Sequence, residues 1–127
     1  MRLTDAQYFN LKEQIKDWIL RIDEEEMLPK GIKVLHFSLF EPYSIELSGS
    51  KVYNPDDDEW IFRNDYVPEE RECPDLEIDQ QIAWEPFLKT IVRILKELSS
   101  DELKEIDLFK VPYITTGFTD GDIVSIR

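Results

Sequence analysis

The sequence predicts an α+β domain in which a mainly antiparallel sheet of about five strands packs one face against two amphipathic helices. Three observations lead there. Apolar residues recur at helical spacing near the N-terminus and again over residues 84–98. The period drops to two over residues 35–47, and an Asp-Gly pair divides the last two apolar runs. A chain of 127 residues is the size of one domain, 1–127, and buries roughly two thirds of its unfolded surface.

The first helix runs from about Asp5 to about Glu25. Thr4 and Gln7 form a capping-box pattern, and Tyr8, Leu11, Ile15, Trp18, Ile19 and Ile22 make one apolar stripe. Pro29 and Gly31 end it. The acids from Asp23 to Glu26 oppose the negative end of the helix dipole and read as a solvated last turn. Next, Leu35, Phe37 and Leu39 alternate with His36 and Ser38, Glu41-Pro42 turns the chain, and Tyr43, Ile45 and Leu47 alternate with Ser44, Glu46 and Ser48. This is an antiparallel hairpin with one buried face. A short third strand is expected over Trp60–Arg63, with Pro68 and Pro74 keeping the chain irregular to about Leu76.

The second helix puts Trp84, Phe87, Leu88, Ile91, Val92, Leu95 and Leu98 on one face, with Pro86 in its first turn. Trp18 and Trp84 both read as core residues. Ser99 and Glu102 form another capping-box pattern that starts a short helix to about Ile106. Two strands finish the chain around the Asp120-Gly121 turn, and Pro112 disfavours a central position for its part of the strand.

Charge is distributed unevenly. Residues 54–79 hold eleven acids against Arg63 and Arg71, nine of the thirteen net negative charges, while both flanks are nearly balanced. Aromatic side chains lie inside this excursion, and aromatics ringed by carboxylates suit a surface that receives a basic partner. The candidate partner-binding residues are Asp56, Asp57, Asp58, Glu59, Trp60, Asp65, Tyr66, Glu69, Glu70 and Glu72. Trp60 either anchors the excursion on the sheet or stands at the surface as an interface hot spot, and Tyr53 and Tyr66 share that ambiguity. A net charge of −13 argues against nucleic acid and anionic membranes as partners. The partner expected is a basic protein.

Catalytic and metal-binding motifs are not apparent. His36, the only histidine, sits mid-strand between apolar neighbours and reads as structural, on the less buried sheet face. Cys73, the only cysteine, excludes an internal disulfide and reads as an incidental surface thiol in a reducing compartment. Asp56 to Glu59 lack the alternation and central glycine of a calcium loop, Asp120-Gly121-Asp122 is explained by its turn, and no glycine-rich loop cradles phosphate. The expectation is no catalytic residue, no metal and no cofactor. A small enzyme or cation-binding protein using the acidic stretch is the alternative. The N-terminal residues lack the apolar run of a signal peptide, so a soluble cytoplasmic protein is expected.

The segments YSIELSGSKVYNPDDDEW, NDYVP and GFTDGDI resemble patterns found in small immunity proteins of bacterial polymorphic toxin systems. Such proteins are cytoplasmic, usually acidic single domains that bind and block a cognate toxin. The resemblance implies a basic toxin domain as partner, in agreement with the charge distribution. It assigns no role to any individual residue.

Overall fold

Strand β1 (Val34–Phe40) forms a hairpin with β2 (Ser44–Ser50) through a turn containing a cis Glu41–Pro42 peptide. A computed structural model describes residues 3–74 and 76–127. Helix α1 (Asp5–Glu25) precedes the hairpin, and α2 (Trp84–Glu97), β3 (Tyr113–Phe118) and β4 (Val124–Ser125) follow it. The sheet has the order β2-β1-β3-β4. No helix of the described residues is long and apolar enough to cross a membrane.

The architecture is α+β with two helices, as the sequence indicates, but the sheet is mixed and has four strands. β3 runs parallel to β1, pairing Val34 with Tyr113 and Leu39 with Phe118. The reason lies in the connection. The hairpin occupies one side of β1, and residues 66–73 occupy the outer edge of β2. The unoccupied side of β1 receives β3, and α2 supplies the crossover that a parallel neighbour requires. Pro112 lies one residue before β3, so an interior strand loses no ladder bond to it.

Alternation in β1 sends Leu35, Phe37 and Leu39 to the helical side, where they meet Leu11, Ile15, Trp18, Ile19 and Ile22 of α1 and Phe87, Ile91, Ile94 and Leu95 of α2 in one apolar core. The capping box at Thr4 and Gln7 is formed in both directions. Past α2, the helix continues as a π-helical turn, Leu98–Glu102, without a new cap. The Ser99 hydroxyl donates back to the Lys96 carbonyl, and Glu102 instead pairs with Lys12 and Lys16 of α1.

Three further expectations change. Trp60 lies in a 3-10 turn, Glu59–Phe62, rather than in a strand. The hairpin is buried on both faces, since Val34, His36, Ser48 and Ser50 are also covered. Trp84, expected in the core, is 50% exposed. It is the first residue of α2, and side chains lean toward a helix N-terminus, so its ring projects past the end of the core although its phase matches the stripe.

Burial therefore separates the three tryptophans. Trp18→Ala and Trp60→Ala should each cost about 3–5 kcal/mol, and Trp84→Ala less than about 1 kcal/mol. Urea unfolding with a constant m-value measures all three; a Trp84 loss matching that of Trp60 would return Trp84 to the core.

Candidate functional site

Residues 54–74 wrap the sheet as a belt. From the end of β2 the chain crosses the face opposite the helices and reaches the β3–β4 turn. There Asp56, Asp57 and Asp58 share a concave surface of about 590 Å³ with Gly121, Asp122 and Ser125. Asn54 Oδ1 accepts from the Asp56 amide and Asp57 Oδ1 from the Glu59 amide, both at 2.9 Å, two local turns that set up the 3-10 turn. That turn places Trp60 under the belt. Its ring meets His36 edge-on at 5.8 Å and Tyr53 at 5.2 Å, while Tyr53 stacks on Tyr113. The indole N–H donates to the Asn54 carbonyl at 3.2 Å. Trp60, 4% exposed, is thus an anchor on the sheet.

The belt then returns along the outer edge of β2. Gly49 and Tyr66 exchange backbone hydrogen bonds at 2.8 and 3.1 Å, Leu47 N–H donates to Arg71, and Cys73 N–H donates to Ile45. These bridges fill a fifth position in the sheet without a regular strand. Trp18 of α1 donates its indole N–H to the Glu70 carbonyl at 2.8 Å. Glu26, the C-cap of α1, accepts from the Tyr66 hydroxyl and the Glu69 amide, and Asp23 accepts from the Leu108 amide at 2.9 Å. Of the acids at the end of α1, expected to be solvated, Glu24 and Glu25 are exposed, whereas Asp23 and Glu26 are acceptors that tie down irregular backbone.

The candidate residues consequently fall into two groups, Asp56 to Asp58 beside the β3–β4 turn and Asp65 to Glu72 along the outer edge of β2. Asp56, Asp57, Asp58 and Glu59 are exposed, and none has an ion-pair partner among the described residues. Asp65 pairs with Arg63, and the Lys51 amide beside it, helped by that guanidinium, lowers its carboxyl pKa. Glu70 pairs with Arg21 at 3.1 Å. Tyr66 is buried, and burial, with the Glu26 carboxylate next, raises its phenol pKa. Glu69 and Glu72 are exposed at the β2 edge, where their backbone serves the belt. Cys73, expected at the surface, is 3% exposed, and burial pushes its thiol up to about 12, leaving it protonated and unreactive.

A second concavity, about 700 Å³, adjoins the first and shares Gly121 and Asp122 with it. Trp84, Leu88, Phe118 and Val124 line it, with Glu41, Asp120 and Asp122 at its margin. None of the three carboxylates has an ion-pair partner among the described residues. Gly117 makes the fold of this turn possible: at φ +156°, a Cβ there would lie 2.5 Å from the Asp122 carbonyl oxygen. Sequence reasoning assigned Trp84 to the core and Asp120-Gly121-Asp122 to the turn alone. The turn assignment is right, and the Phe118 carbonyl accepts from the Gly121 amide at 3.0 Å. What sequence could not supply is the tertiary meeting of this turn with Asp56–Asp58.

Among the described residues, no group of three or more His, Cys, Asp or Glu side chains is arranged to hold a metal ion. No protein-family model matches the chain, and comparisons with curated proteins and with solved structures return no match.

His36 is held in the belt's footing, with Nδ1 2.8 Å from Thr115 Oγ1. Burial lowers its pKa from 6.5 to about 4, so the folded protein holds it neutral. The unfolded chain takes up the proton first, and stability present above pH 6.5 is lost as pH falls toward 4, with a limiting slope of about 1.4 kcal/mol per unit. Between pH 7 and pH 5 the wild type should lose about 2 kcal/mol more than His36→Gln in urea unfolding. Equal losses would mean a solvated imidazole.

Proposed function

We propose that this protein is an acidic protein-binding module of the immunity type, a cytoplasmic inhibitor that captures a basic toxin domain and neutralises it. One observation carries the reading. Asp56, Asp57 and Asp58 of the belt and Asp122 of the β3–β4 turn line the same concave surface, and none of them has a cationic partner within the described chain. Several acids elsewhere are paired, Glu46 with Arg71, Glu70 with Arg21 and Glu97 with Lys12. Charge left unmatched at one concave surface attracts a cationic surface and accelerates encounter.

Rigidity supports the same reading. The turn that bears Asp56 to Glu59 is fastened by the buried Trp60 and by its own side-chain to backbone bonds. A preorganised surface loses little conformational entropy on binding. The immunity assignment within the class of binding modules rests on the sequence resemblance, and the basic partner rests on charge.

The experiment uses a partner recovered by pull-down from the source cells. Replacing Asp56, Asp57, Asp58 and Glu59 by their amides should slow association about tenfold or more at low salt, flatten its salt dependence and change dissociation little. Stopped-flow or surface-based kinetics over a salt series reads all three quantities. Unchanged association and salt dependence in a folded variant would remove this surface from the binding site.

A further inference from the structure

We infer that the groove beside the β3–β4 turn is the seat of an arginine side chain of the basic partner, an inference that rests on the protein-binding reading above. The groove has an apolar wall, Trp84, Leu88, Phe118 and Val124, and an acidic margin, Glu41, Asp120 and Asp122. Its volume, about 700 Å³, lies within the range of about 300–1,000 Å³ common to ligand clefts. Trp84 gives it its character. Trp84 is half exposed, and Phe118 meets its ring edge-on at 90° with centroids 6.1 Å apart.

The occupant follows from the combination. An apolar wall alone suits any hydrophobic side chain, and carboxylates alone suit any cation. A long side chain with an apolar stem and a terminal cation satisfies both. Arginine fits better than lysine because its planar guanidinium stacks on an indole face while it forks to carboxylate oxygens, whereas an ammonium is a compact, strongly hydrated charge. The groove shares Gly121 and Asp122 with the surface that bears Asp56 to Asp58. A single basic segment lying across the turn therefore meets both.

The three tryptophans make the test selective. Trp18 and Trp60 donate their indole N–H groups to the Glu70 and Asn54 carbonyls, whereas the Trp84 N–H has no hydrogen-bond partner among the described residues. The probe is acetyl-Gly-Arg-Gly-Arg-Gly-amide, with lysine and citrulline counterparts, titrated into the uniformly 15N-labelled protein. The arginine peptide should move the Trp84 indole resonance and leave the other two in place. Its affinity should fall about tenfold in Trp84→Ala, as for loss of a desolvated cation–π contact, and several-fold in Asp122→Asn. The lysine peptide should bind more weakly than the arginine peptide, and the citrulline peptide should not bind. An unmoved Trp84 resonance, an unchanged affinity in Trp84→Ala, or equal binding of the citrulline peptide overturns the inference. If arginine-peptide binding survives Trp84→Ala but disappears in the Asp56–Glu59 amide variant, the groove is excluded while the acidic surface remains a binding site. If no peptide binds but the natural partner still shows salt-dependent association through Asp56 to Glu59, the groove alone is excluded. Loss of both removes the protein-binding reading as well.

Discussion

The antiparallel attachment of the belt to the outer edge of β2 is the constraint on which the rest of the fold depends. An uncovered β2 would present the free N–H groups of Leu47 and Gly49 in a largely buried strand, an edge open to pairing with another chain. The belt satisfies these groups with backbone from Tyr66 and Arg71, and Trp18 holds it there by a bond from the centre of α1. Each such bond contributes only about 1 kcal/mol net, but leaving a buried donor unpaired costs more. With that edge closed, β3 has one side of β1 left to join, and the α2 crossover delivers it parallel to β1.

The belt also explains how an acid-rich segment stays ordered. Low hydrophobicity with high charge usually leaves a chain disordered, because too little apolar surface is buried to offset the entropy of ordering. Here Trp60, Tyr66, Pro68 and Cys73 are buried at intervals, and between them the backbone is hydrogen-bonded to β2 and to the acids at the end of α1. The carboxylates ride outward on a scaffold made by the intervening residues. Charge and order are therefore not in conflict, since they reside on different side chains of the same segment.

Periodicity made the helices and the hairpin legible, because the buried positions of α1 and β1 repeat at 3.6 and at two. It did not reveal the second buried face, since His36 and Ser48 are polar and their cover comes from residues 53–60, distant from any strand pattern. Nor did it reveal the place of β3, which edge occupancy decides, or its direction, which depends on the α2 crossover. The candidate site was half legible. Asp56 to Glu59 stand out as a run of charge, but their neighbour Asp122 looks like part of an ordinary hairpin turn. Cys73 and Tyr66 sit among acids in sequence, and only the β2 edge buries them.

The tryptophans show where this limit comes from. A stripe gives the direction in which a side chain points, not how far along the axis the core extends. Trp18 lies mid-helix over Phe37 and is enclosed, whereas Trp84 begins its helix and leans beyond the last core layer toward Phe118. Trp60 has no stripe, yet the local turns at Asn54 and Asp57 direct it onto His36. One ring therefore secures the acidic turn from beneath while another is left open beside it. The proposed binding needs this division, because a ring buried as a support has no face left for a partner.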